Sequence, residues 1–154
     1  MTTEPRALTF PALDSATAAA HLRAELDLEV DPDDLVRDLT AGAQQGYVVV
    51  ETRASEAFAS ARIPGAINLP YRDMTAESVS GLDRELVYIC YCESIHCNAA
   101  TKGALKLAEL GFKVKRLSGG ITAWQAAGYP VERDTLPSAH TSAHTSAPAP
   151  RCAC

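Results

Sequence analysis

The chain has 154 residues, 47% of them hydrophobic and 21% charged, with a formal net charge of -5. That suffices for one domain with a proper core and is too short for two ordinary ones. The acidic balance excludes the basic field of a nucleic-acid binder. No apolar run approaches the length of a bilayer-spanning helix. Residues Met1–Pro11 lack the basic start and apolar core of a secretory leader, so neither nucleic acid nor membrane is an expected partner, and the cytoplasm is the expected compartment.

Asp14-Ser15 reads as a cap on the alanine-rich helix Ala16–Glu29. Asp31-Pro32-Asp33-Asp34 starts a second helix, with acidic residues in its first turn and Leu35 and Leu39 on one face. Gly46 introduces Tyr47-Val48-Val49-Val50, a short β-branched run expected to be a strand buried on both faces. A short helix over Glu56–Ala61 leads to the turn Ile63-Pro64-Gly65-Ala66 and the extended piece Ile67-Asn68-Leu69. Leu86–Cys92 is the next strand. The helix Ala99–Leu110 follows it, with Ala100, Ala104, Leu107 and Ala108 on one face and Gly111 as its stop. Phe112–Leu117 is a further strand, Gly119-Gly120 a tight turn, and Ile121–Ala127 a last helix closed by Gly128. Strands alternating with helices predict an α/β fold with a parallel sheet covered on both faces.

Three parts follow: an N-terminal helical extension over residues 1–33, the α/β domain over 34–134, and a Ser/Thr/His/Pro-rich tail over 135–154. The tail nearly repeats Ser-Ala-His-Thr-Ser and ends in Cys152-Ala153-Cys154. It lacks the apolar residues to form a core and is expected to be disordered.

The chemistry concentrates at one junction. Val87-Tyr88-Ile89-Cys90-Tyr91-Cys92 runs into the loop Glu93-Ser94-Ile95-His96-Cys97-Asn98 and then a helix start. Backbone N–H groups and the positive end of the helix dipole converge on such a loop. A thiol placed there is expected to have a stabilised thiolate and to act as a nucleophile. Five clustered cysteines, an odd number, suggest reactive thiols rather than a disulfide framework.

Four segments in order then resemble the rhodanese (sulfurtransferase) domain family. Val48-Val49-Val50-Glu51-Thr52-Arg53 is similar to a first core strand ending in Asp-x-Arg. Glu56–Pro70, containing Ile63-Pro64-Gly65-Ala66, is similar to the family's Gly-His-Ile-Pro-Gly-Ala segment. Tyr91-Cys92 falls where the family's nucleophilic cysteine ends its strand. Leu117-Ser118-Gly119-Gly120-Ile121-Thr122-Ala123-Trp124 with Gly128-Tyr129-Pro130-Val131 resembles its C-terminal signature. The likeness runs from about Asp34 to Glu132. It implies a three-layer fold with a parallel sheet of about five strands. It also implies transfer of a sulfane sulfur from a small-molecule donor such as thiosulfate to a thiol or cyanide, through a persulfide on Cys92 and with no cofactor.

The departures are specific. Glu51 stands for the family's Asp and Ala61-Arg62 for its Gly-His. The loop after Cys92 is longer than usual, lacks Lys and Arg, and holds a second cysteine, Cys97. The phosphatase-like relatives of this fold grip an oxyanion with an arginine at the loop end; Asn98-Ala99-Ala100 stands there instead, which disfavours phosphate chemistry. Cys97 is a candidate resolving thiol, relay or alternative nucleophile. Glu93, Ser94, Ile95, His96 and Asn98 are the candidate substrate-binding residues. Arg72 is a candidate for the missing positive charge, with a plain surface position as the alternative. Cys90 is expected in the core. A zinc site from Cys92, His96, Cys97, Cys152 and Cys154 lacks a standard pair spacing, and His140 and His144 have no helix to align them. Two readings compete with the enzyme: a non-catalytic regulatory module, and a thiol redox protein using Cys92 and Cys97. Oligomeric state is not legible.

Overall fold

The computed structural model describes residues 5–135. The expected tail, with Cys152 and Cys154, therefore lies outside the described residues apart from Thr135.

A 3-10 turn at Arg6–Leu8 precedes helix α1, Ser15–Leu28, and Asp14 caps α1 by accepting from the N–H groups of Ala16 and Thr17. The chain then forms strand β1, Glu29–Val30. Helix α2, Pro32–Ala41, is capped by Asp31, carries Pro32 in its first turn and stops at Gly42 in the left-handed region. Strand β2, Tyr47–Glu51, helix α3, Ser55–Ser60, and strand β3, Ile67–Asn68, follow. Strand β4, Val87–Tyr91, leads into helix α4, Ala99–Glu109. Strand β5, Lys113–Leu117, and helix α5, Gly120–Ala126, complete the order. Among the described residues, no helix is long and apolar enough to cross a membrane.

All five strands are parallel, in the order β1-β5-β4-β2-β3. Alternating side chains divide the core between the two sheet faces. Val50, Tyr88, Cys90 and Cys92 pack with Ala100, Ala104 and Leu107 of α4 and with Met74 and Val79. Val49, Ile89, Tyr91 and Leu117 pack on the other side with Leu35 of α2, Ile63, and Ile121 and Trp124 of α5. Trp124 is fully buried, and its indole N–H donates to the Pro130 carbonyl at 2.8 Å.

The N-terminal extension departs from its expected, purely helical form. Glu29 leaves the helix, and with Val30 it pairs with Arg116 and Leu117 of β5, so the extension supplies an edge strand of the sheet. A two-residue strand carries no periodicity in sequence, and β5 supplies its hydrogen bonds. The Ala61-Arg62 departure also has a structural counterpart. Arg62 bridges to Glu132 through the backbone, and its guanidinium holds Asp134 at 2.7 Å, tying the end of the domain to the turn after α3.

Candidate active site

β4 lies between β2 and β5, so its carboxyl end opens at the middle of the sheet edge. Cys92 follows directly. It is a free thiol, only 3% exposed. The backbone N–H groups of Ala100, Ser94, Glu93 and Ala99 are directed at its sulfur. Two of these belong to the first turn of α4, whose Asn98 cap makes no side-chain bond, so that turn's free donors are turned to the sulfur. The Sγ–H group itself donates to the Cys97 carbonyl at 3.1 Å.

The balance of these effects differs from the sequence expectation. Burial is the largest influence on Cys92 and raises its pKa above the ordinary 9.0; the converging N–H groups oppose that shift without reversing it. Cys90, fully buried in the α4-side core as expected, is pushed up to about 12 by burial and, secondarily, by the neighbouring Cys92.

The loop is held from two sides. Arg53, 5% exposed, pairs with Glu51, reaches Glu93 at 2.5 Å and donates to the Ala61 carbonyl at 2.8 Å. The Tyr91 hydroxyl donates to Glu51 and accepts from the Ile63 N–H at 3.0 Å. From the other side, the Ile121 N–H donates to the Cys92 carbonyl and the Thr122 N–H to the Glu93 carbonyl, each at 2.9 Å. Gly120, at a φ of 62°, makes that approach possible: a Cβ there would sit 2.5 Å from the Cys92 carbonyl oxygen.

A pocket of about 440 Å³ opens over the sulfur. Cys92, Ser94, Ile95, His96, Cys97 and Asn98 line it. Glu93 is absent from the lining and is engaged with Arg53. Arg72 is also absent; it borders a separate cavity with Tyr71 and Asp73, and its Nε donates to the Tyr71 hydroxyl at 3.1 Å. Cys97 is disulfide-bonded rather than a free thiol. The opposite wall comes from residues that the sequence did not single out: Thr101 on α4, Arg116 on β5, Ser118 beyond it, and Glu29 from β1. Ser118 and the two glycines after it stood in a recognisable motif. Glu29 carried no signal, because it read as the end of a helix. Among the described residues, no group of three or more His, Cys, Asp or Glu side chains could hold a metal ion.

Residues 31–127 match the family model described as Rhodanese-like domain. A thiosulfate sulfurtransferase, GlpE, of Pseudomonas putida is 36% identical over 92 residues, covering 58% of this chain and 78% of the relative. The HTH-type transcriptional regulator Rv0324 of Mycobacterium tuberculosis is 30% identical over 119 residues, covering 77% of this chain; the match spans 51%, about half, of the regulator's length. Among solved structures, the BH2092 protein of Bacillus halodurans superposes with a TM-score of 0.75 at 38% identity, covering 78% of this chain and 87% of that one.

Proposed function

Because this chain belongs to the rhodanese-like domain family, we propose that it is a sulfurtransferase carrying a sulfane sulfur on Cys92. The observation behind this reading is the free Cys92 thiol at the carboxyl end of β4, with four backbone N–H groups directed at its sulfur and a pocket open above it. The Cys92 thiolate attacks the outer sulfur of a donor such as thiosulfate. A new S–S bond forms, the donor's S–S bond breaks, and sulfite leaves with the electron pair. The terminal sulfur of the persulfide then sits in the pocket, where the loop and α4 N–H groups stabilise its charge. An acceptor thiol attacks that sulfur and returns Cys92 to its starting state. The cycle uses no cofactor, and we assign it to the cytoplasm.

A regulatory reading has its own support. The raised Cys92 pKa and the loop without Lys or Arg suit slow modification better than rapid turnover, and one relative is a transcriptional regulator. Intact-protein mass spectrometry after incubation with thiosulfate separates the possibilities. The expected result is a gain of one sulfur atom that Cys92→Ser abolishes and Cys97→Ser preserves. An adduct that follows Cys97 would reverse the two roles. A thiosulfate adduct without turnover to a thiol acceptor would favour the regulatory module.

A further inference from the structure

The pocket wall facing Cys92 is built around one ion pair, and half of it lies outside the residues matched to the family. Arg116 is in register with Cys90 of β4 on one side and with Glu29 of β1 on the other. Residues in register across parallel strands face the same way, so both charged side chains lie on the sheet face that carries Cys90 and Cys92. Arg116 pairs with Glu29 through Nη2 and donates through Nη1 to the Thr101 hydroxyl at 2.6 Å. The second Glu29 oxygen accepts from the Ser118 hydroxyl at 2.5 Å. The two charged side chains remain 30% and 33% exposed, and both line the pocket. The Nε of Arg116 is buried, and among the described residues it has no hydrogen-bond partner.

The wall is therefore dipolar. Among the described residues that line the pocket, Arg116 is the one Lys or Arg and Glu29 the one carboxylate. A small dianion meets a guanidinium whose charge Glu29 already offsets. A head group bearing both an ammonium and a carboxylate matches the wall at both ends, the ammonium at Glu29 and the carboxylate at Arg116. We propose that Glu29 and Arg116 are the specificity-determining pair of this pocket, selecting sulfur substrates with an α-amino-acid head group. That group is supplied by free cysteine or by the γ-glutamyl end of a peptide thiol.

The inference deepens the sulfurtransferase reading and assigns the subsite to the second half-reaction. The bound thiol loses its proton and its sulfur attacks the terminal sulfur of the Cys92 persulfide. The new S–S bond forms on the acceptor, the persulfide bond breaks, and its electron pair returns to Cys92, which takes up the proton. No oxidant or reductant is consumed.

The test separates binding from turnover. S-methyl-L-cysteine carries the head group but no thiol, so its binding can be titrated by NMR on wild type and on Cys92→Ser alike. Glu29→Gln and Arg116→Gln are each expected to weaken it about tenfold or more, the usual effect of losing a charge-assisted hydrogen bond. Discharge of the persulfidated protein is then compared for L-cysteine, glutathione, cysteamine and 3-mercaptopropionate at equal thiolate concentration. Cysteine or glutathione should lead, and which of them leads identifies the source of the head group. Glu29→Gln should erase the lead over 3-mercaptopropionate, and Arg116→Gln the lead over cysteamine. Glu29→Gln should also lower KM for thiosulfate, a gain that loss of a purely structural salt bridge does not produce. If S-methyl-L-cysteine binds as expected but no persulfide forms, the subsite stands and the sulfurtransferase reading falls. If persulfide forms but S-methyl-L-cysteine binding is absent or insensitive to both variants, the subsite is overturned. Uniform slowing of all four thiols would also overturn it.

Discussion

Cys90 and Cys92 stand two residues apart on one strand face, and their surroundings set different chemistry for each. Cys90 sees only core, and burial lifts its thiol to about 12. Cys92 is also raised above 9.0 by burial, but N–H groups oppose the shift and a pocket gives access. Alkylation by iodoacetamide should therefore modify Cys92 and leave Cys90 untouched in the native protein. The Cys92 rate should still be climbing at pH 9, because the thiolate fraction has not saturated there; a plateau at neutral pH would contradict the burial argument. The same shift fixes the sign of its linkage to stability. A thiol pKa raised by folding favours the neutral form in the native state, so its contribution is complete below 9.0 and is lost as pH rises through the folded value. Alkaline melts should accordingly cost wild type more stability than Cys92→Ser. The position of the Cys92 thiol was legible in sequence because strand end, thiol and helix start are neighbours along the chain. Arg116 and Glu29 were not legible as a pair, since 87 positions separate them and only the pairing of β1 with β5 brings them together.

Elements place the loop, and the first turn of α5 does so by close approach. Its N–H groups at Ile121 and Thr122 hold the carbonyls of Cys92 and Glu93, and Gly120 leaves room for that contact. Gly120→Ala adds a Cβ against the backbone at a positive φ and should cost about 3 kcal/mol or more. Persulfide formation should slow with it, because the N–H cradle moves with the carbonyls. Gly42→Ala serves as the comparison: its φ is 66° but nothing lies within 4 Å of the added Cβ. It should cost about 1 kcal/mol of backbone strain and leave the persulfide rate alone. Thermal melts and single-turnover rates on the two variants check both statements; equal effects on rate would mean that α5 does not position the loop. The helix starts were readable because their caps are local: Asp14 and Asp31 act in the structure as their residue types suggest. Strand β1 was not readable, because two residues carry no period and β5 alone makes them a strand.

Across the molecule, burial falls steeply from the middle of the sheet to the N-terminal helix. β4 is buried from Tyr88 to Tyr91 and paired on both sides, whereas α1 has no buried residue and leaves Leu22 and Leu26 exposed. What ties α1 down is polar and lies at its carboxyl end. Lys115 donates to the Leu26 carbonyl at 2.8 Å, and Glu29 just beyond is paired with Arg116. A 14-residue helix without a buried face has little tertiary packing to sustain it. The amides of β2 and β4 should therefore exchange with solvent only on global unfolding, and those of α1 by local opening at a much lower free energy. Native-state hydrogen exchange measures both in one experiment. Equal protection of α1 and β4 would mean that the exposed leucines are covered, and diluting the sample would show whether a second copy covers them, because protection supplied by a second copy falls with dilution. Glu29→Gln sharpens the argument from the other direction. If the ion pair to Arg116 anchors the helix end, α1 amides should exchange faster in that variant while β4 amides keep their wild-type protection.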